Sequence, residues 1–280
     1  MANRGTKKRH RRYQISIYRT VLLCLLIILI VFPFYVMVVG AFKPTTSLIS
    51  IPVDMRPFVN LTLDNIKDAI VDTDVLIWLR NSFIISICVA LCTAFIGVTG
   101  GYAFARIRFP GKNILFALVM ATLMMPKQML LIPNYLVAYN LHLTNKLYGV
   151  VLTSIAPAFG VFFSRQYISS LPSSLFEAAE MDGCGELGKF FRIGLPLCTP
   201  AIGVVSIFSF FTSFNDYIWQ LLMISDKNLQ TLPIGLAFSA RQGRGEQMAL
   251  ALVATLPLII IFLICQRFFI KGATVGAVKG

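Results

Sequence analysis

The sequence predicts an all-α integral membrane protein: six transmembrane helices with a cytoplasmic helix–turn–helix loop between the fourth and the fifth. Three observations predict it. The 280 residues are 57% hydrophobic and 13% charged, and the charged share is about half that of a typical soluble domain, so the apolar excess must face lipid. Six runs reach the roughly 20 apolar residues that a helix needs to cross the hydrocarbon: Thr20–Phe42, Ser82–Phe104, Ile114–Pro133, Leu147–Tyr167, Thr199–Leu222 and Met248–Phe268. Between the fourth and fifth runs lies a polar, helix-forming stretch, Glu177 to Pro196. No linker or low-complexity tract divides the chain, so one membrane domain is expected over 20–268, between a basic tail at 1–19 and a second tail at 269–280.

The first span is free of charge from Val21 to Phe42 and follows the basic run Lys7-Lys8-Arg9-His10-Arg11-Arg12. A cleavable signal has a shorter apolar core and a small-residue cleavage site, whereas this one ends in Phe42 and Lys43, so an uncleaved anchor is expected. Span two carries Gly97-x3-Gly101, the spacing of a close helix contact. Just before it, Asn81 could line the outer mouth of a path or cap the helix. Span three contains Met124-Met125-Pro126-Lys127-Gln128 and Ile132-Pro133-Asn134-Tyr135. Its prolines leave carbonyls to be served by a neighbour or by cavity water, which favours a kinked, cavity-lining helix with Gln128 and Asn134 on the path. Lys127 is expected to snorkel outward. Span five ends with Asn215, Asp216, Tyr217 and Trp219, which read either as a polar solute site or as a carboxylate within an interfacial aromatic belt.

Orientation follows from lysine and arginine. With the N-terminus inside, 16 of the 25 basic residues fall in inner segments and 9 in outer ones, while Asp54, Asp64, Asp68, Asp72 and Asp74 crowd the first outer loop. Both termini and the Glu177–Pro196 hairpin then face the cytoplasm. The formal charge of +13 sits at the ends of apolar runs, which is membrane topology and not a nucleic-acid footprint. The six cysteines lie in apolar spans or the hairpin, with no zinc-type spacing and no metal site expected. No convergent set of acid, base, nucleophile or ligands marks an enzyme. A self-sufficient secondary transporter would show inverted repeats or charges deep in its spans, and would leave the acidic hairpin without a role.

The hairpin reads as a short helix, a break at Gly183 and Gly185, and a second short helix, with Ser174 and Glu177 at capping-box spacing. Gly183 to Lys189 also matches two phosphate-loop patterns. The preceding stretch is helical and Phe190 stands where a magnesium-binding Ser or Thr is required, so nucleotide binding is not expected. An amphipathic helix on the inner leaflet is the alternative. Against it, Glu177, Glu180, Asp182 and Glu186 would be repelled by anionic lipid.

The spacing Glu177-Ala178-Ala179-x3-Gly183-x9-Ile193-x-Leu195-Pro196 resembles the EAA loop of permease subunits in bacterial ATP-binding-cassette importers. The resemblance extends to the smaller maltose-type permeases through Gly101-Tyr102-Ala103-Phe104-Ala105-Arg106, Phe109-Pro110-Gly111, Phe214-Asn215-Asp216-Tyr217, Thr231-Leu232-Pro233-Ile234-Gly235-Leu236 and the tail from Gln266 to Gly280. Cys184 and Gly185 depart from the usual alanine and serine. The resemblance implies a heterodimer with a second permease subunit, two ATPase subunits that carry ATP and magnesium, and an extracytoplasmic solute-binding protein. It implies no cofactor on this chain. Glu177, Ala178, Ala179, Asp182, Gly183, Ile193, Leu195 and Pro196 would serve ATPase docking, with Ile193 and Pro196 locking the hairpin to span five. The solute would be a sugar or oligosaccharide, with glycerol-phosphate or a polyol as the alternative. The polar outer segment Asp226–Gln247 reads as a solvated connector, or through Arg241, Gln242, Gly243 and Arg244 as the binding-protein contact that the resemblance implies.

Overall fold

A computed structural model describes residues 17–44, 56–239 and 243–277. Among these every regular element is helical. They fall in two compact units, one of residues 1–73 with 240–253 and one of 74–239 with 254–280.

In the first unit α1 (Ile17–Ala41) has the length and apolar composition of a membrane span and is exposed over most of its apolar surface. Its end is closed by α2 (Asp64–Val71). The Asn65 side-chain amide donates to the carbonyls of Ala41 and Lys43, at 3.2 and 2.7 Å, satisfying acceptors that a helix end leaves open. Lys43 is fully buried and donates to the Val59 carbonyl at 2.6 Å.

The second unit is built on α3 (Val75–Arg106), which begins seven residues before the expected start of span two. Around it run α4 (Lys112–Met124), a 3-10 turn Lys127–Leu130, α5 (Leu131–Asn140), α6 (Leu147–Ser154) and α7 (Pro157–Ser169). The hairpin elements follow: α8 (Ser173–Met181), α9 (Glu186–Lys189), a π-helical turn Phe190–Gly194 and α10 (Leu195–Leu197). Then come α11 (Thr199–Phe214), α12 (Tyr217–Met223) and α13 (Leu232–Phe238). The last helix, α14 (Arg244–Ala277), has its residues up to Val253 in the first unit and continues through most of the expected C-terminal tail.

Among the described residues three helices are long and apolar enough to cross a membrane, Tyr18–Ala41, Val75–Arg106 and Arg244–Ile264. Of the other three expected spans, the third and fourth are broken pairs, bent by 95° between Met124 and Lys127 and by 45° between Ser154 and Pro157, while the fifth is bent by 70° from the hairpin's second arm between Leu197 and Thr199. Pro126, Pro157 and Pro200 stand at these breaks, where a missing N–H and a ring clash interrupt the helical ladder. Span three is therefore sharply broken where a kink was expected. Span five also stops at Phe214, eight residues short of Leu222.

The contact predicted from Gly97 and Gly101 is made with α7. A Cβ on Gly97 would lie 2.7 Å from the backbone of Gly160, and one on Gly101 would lie 2.6 Å from Ser164 Cβ. The small residues let the two backbones touch, which is how helices gain dispersion energy where lipid removes the hydrophobic drive. On another side of α3, Phe83 packs against Phe210 and Phe214 of α11, at centroid distances of 6.1 and 5.4 Å.

The segment after Asp226 is not a solvated connector within this unit. Asn81 is fully buried inside α3 and donates to the carbonyls of Asn228 and Gln230 at 2.9 Å each. Ser82 accepts the Leu232 N–H at 2.8 Å, and a Cβ on Gly235 would fall 2.1 Å from the Trp78 ring. Asn81 thus neither caps a helix nor opens on a mouth, because α3 starts six residues earlier and its amide is committed to this strap.

Gly97→Ala is expected to destabilise the protein by about 1–3 kcal/mol, since the obstructing atoms are backbone and cannot rotate away. Gly185→Ala, with nothing within 4 Å of the new Cβ, should be neutral. Thermal unfolding of the detergent-solubilised proteins measures both, and equal midpoints would contradict the packing account.

Candidate functional site: a hairpin and a polar cavity

The hairpin is shaped by its turn. α8 ends at Asp182, Gly183 follows at φ +80°, and the N–H of Cys184 donates to the Ala179 carbonyl at 2.9 Å while that of Gly183 donates to Glu180 at 3.0 Å. This is a Schellman stop, in which a left-handed residue, usually glycine, turns the chain back onto the last carbonyls. Gly185 has an ordinary extended backbone, φ −67°, so only Gly183 needs glycine's freedom. The expected capping box is not formed. Pro172 occupies the N-cap position, which draws Ser174 into the first turn of α8, and no side chain caps the helix.

Electrostatics distinguish the four acids. Lys189 is buried with its ammonium 2.6 Å from Glu186 and 3.0 Å from Glu180. The hydrogen bonds to Glu186 and then to Glu180 raise its pKa, outweighing the opposing effect of burial, so it stays charged. This lysine, which completes the phosphate-loop pattern, is thereby committed to carboxylates, and helix α8 precedes the glycines where such a loop requires a strand. Glu177 and Asp182 are exposed and have no ion-pair partner among the described residues. Ala178 and Pro196 are exposed beside them, with Met181 and Leu187 at 87% and 74% exposure.

Other expected docking residues face inward. Ala179 is buried, and Ile193 and Leu195 pack against a core of Val98, Tyr102, Ile168, Phe176, Phe190 and Cys198. The Tyr102 ring meets Phe190 at 5.1 Å and Phe176 at 6.2 Å. Arg106, at the end of α3, donates to the carbonyls of Ile168 and Leu171 at 2.8 and 2.7 Å and lies 4.3 Å above the Phe176 ring. Sequence reasoning quoted Tyr102 and Arg106 only as motif letters. Their signal was an aromatic and a cation four residues apart at the polar end of a span, one helical face.

The interruptions after Met124, after Ser154 and after Phe214 border a cavity of about 730 Å³. Its wall includes Gln128, Asn134, Asn215, Asp216, Tyr217 and Trp219, which the sequence places far apart, and it also includes Lys127. Lys127 therefore sits on the cavity wall instead of pointing away from it, because the 3-10 turn re-aims the chain after Pro126. Asp216 is the N-cap of α12, its carboxylate accepting the Trp219 N–H at 3.3 Å. Trp219 is largely buried, and its indole N–H donates to Thr153 Oγ1 at 3.0 Å. Its indole N–H is therefore already committed within the protein. Two hydroxyls that sequence reasoning did not single out, Thr93 and Ser213, belong to the same wall and have no hydrogen-bond partner among the described residues.

Arg241 and Gln242 lie outside the described residues. Gly243 donates its N–H to Glu246 at 3.2 Å, and Arg244 opens α14. Among the described residues no group of three His, Cys, Asp or Glu side chains is placed to hold a metal.

Comparison with known proteins accords with this architecture. The arabinooligosaccharides transport system permease protein AraQ of Bacillus subtilis (strain 168) is 36% identical over 276 residues, covering 95% of this chain and 98% of its own. The sn-glycerol-3-phosphate transport system permease protein UgpE of Salmonella typhi is 31% identical and covers 93% and 96%. In fold, a chain from the crystal structure of a bacterial ABC transporter involved in the import of the acidic polysaccharide alginate superposes with a TM-score of 0.84 at 18% identity, over 96% of this chain and all of that one. Residues 96–275 match the model of the binding-protein-dependent transport system inner membrane component, and the chain belongs to that family of ABC transporter permease subunits.

Proposed function

We propose that this chain forms one half of the path by which an ATP-driven importer moves a sugar or oligosaccharide inward, beside a second permease subunit. A solute-binding protein delivers the solute outside, and two ATPase subunits, which carry the ATP and magnesium, dock at the hairpin in the cytoplasm. The observation that carries this reading is the cavity: an otherwise apolar helical unit gathers amides, hydroxyls and Tyr217 from three broken spans onto one wall. Such a wall suits a polyhydroxylated solute, whose hydroxyls need paired donors and acceptors. The relative AraQ, named for arabinooligosaccharides, supports the neutral class.

The hairpin supports the docking half of the reading. Its exposed Glu177 and Asp182 and the apolar Met181 and Leu187 suit a cleft with a basic residue among apolar walls. Closing of the ATPase pair on ATP would then displace a preformed, ion-paired unit. On this reading both termini and the hairpin lie on the cytoplasmic side of a bacterial cell membrane.

A second reading rests on Lys127. A cation on the cavity wall with no ion-pair partner among the described residues suits a phosphorylated or carboxylated solute, and UgpE is named for such a phosphate. ATP hydrolysis by the assembled importer, with its binding protein, decides between them. Stimulation by arabino-oligosaccharide and not by glycerol 3-phosphate supports the neutral class, and the reverse pattern overturns it.

At the cavity, Asp216→Asn keeps an equally good N-cap while removing the charge, so transport should fall with assembly intact. Trp219→Ala should instead lose about 3–5 kcal/mol of packing and lower the amount of folded protein. Unchanged uptake kinetics in Asp216→Asn would take Asp216 off the path.

At the hairpin, Gly183→Val places a β-branched residue at φ +80° and should abolish transport, by releasing the ATPase or uncoupling it, without loss of membrane insertion. Gly185→Ala should transport normally. Normal uptake with ATPase bound in Gly183→Val would return α8 to an inner-leaflet role.

A further inference from the structure

We infer that Arg106 is the joint through which motion of the hairpin reaches the helices around the cavity, a positioning residue with no contact to solute or ATPase. The inference rests on the docking role proposed for the hairpin. Three contacts converge on its guanidinium. Nη2 donates to the Ile168 and Leu171 carbonyls, which lie at and just beyond the end of α7. The guanidinium carbon lies 4.3 Å from the ring centroid of Phe176, a buried residue of α8. The side chain itself belongs to the last turn of α3. One residue therefore ties the first hairpin helix to two packed helices.

The chemistry suits a joint. Carbonyls just past a helix end carry partial negative charge and lack intrahelical donors, so a cation there is held electrostatically. Arginine can bond in its plane and stack on its face at the same time, which lysine cannot. Both helices that it grips run on toward the cavity. Thr93, on the cavity wall, is 13 residues from Arg106 along α3, about 20 Å of helix. Between them α3 and α7 touch backbone to backbone at Gly97 and Gly160, so they move as one body. Lys189 does a different job, since its two carboxylate partners lie within the hairpin. Lys189 keeps the hairpin's shape, and Arg106 connects that shape to the spans.

The test uses the whole importer, purified through a tag on this chain, with the six native cysteines replaced by serine and one reporter cysteine at Thr212 on the cavity wall. The probe is ATP with orthovanadate, which needs no knowledge of the solute, and the readout is the rate of thiol labelling with and without trapping. The parent complex should change its labelling rate on trapping. In Arg106→Gln that change should shrink at least fivefold while vanadate-sensitive ATP hydrolysis and ATPase content stay at parental levels. Arg106→Lys and Phe176→Leu, which keep charge and bulk respectively, should shrink it partially and decide the matter if Arg106→Gln does not assemble. Parental responses in these variants overturn the joint and leave the docking proposal standing. A parent that holds no ATPase, or does not respond to trapping, overturns the docking proposal and the joint with it.

Discussion

The backbone contact between α3 and α7 at Gly97 and Gly160 is the constraint on which the second unit rests. In lipid, apolar side chains gain little by leaving their solvent, so helices associate where their shapes permit close approach. Glycine at both positions removes the side chains that would hold the axes apart. That approach sets the end of α7 beside the end of α3, within reach of Arg106, and it leaves the remaining sides of α3 to Phe210 and Phe214 of α11. The hairpin anchor and one wall of the cavity both depend on this fit.

Broken spans provide the polarity that intact ones could not. A continuous helix in hydrocarbon hides its backbone groups and presents a uniformly apolar surface. At Pro126 and Pro157 the ladder stops and the chain re-enters at 95° and 45°, and after Phe214 it stops again before α12. Polar side chains near the breaks between α4 and α5 and between α11 and α12 then face one space: Gln128 and Asn134 from one, Asn215 and Asp216 from the other. The cost of irregular backbone is met partly within the protein, since Asp216 caps α12.

The hairpin divides its charges by use. Glu180 and Glu186 neutralise the buried Lys189, which stiffens the second arm against the first. Glu177 and Asp182 remain on the surface. Its aromatic side, Phe176 and Phe190 around Tyr102, is turned toward the spans. A segment that is polar in composition is thus two-faced in structure, and the apolar face explains why Ala179, Ile193 and Leu195 belong to its core.

Much was legible in the sequence because the signals were local. Apolar run lengths marked the spans, small residues four apart marked a helix contact, and the Glu177–Pro196 spacing marked the hairpin with its glycine turn. Six of the seven residues expected on a solute path line one cavity, polar groups that stand out within apolar runs. What only the tertiary structure decided was direction. Asn81 and Asp216 were both read as polar residues near span ends, yet one is sealed under a strap and the other caps a helix on the cavity wall. Lys127 was expected to point away and lines the wall, and Arg106 was one basic residue among 25 until α7 and Phe176 came to it. Composition and spacing record what a residue can do. Which neighbour it meets depends on helix breaks and contacts that join positions some 60 to 150 residues apart, and no local pattern encodes those.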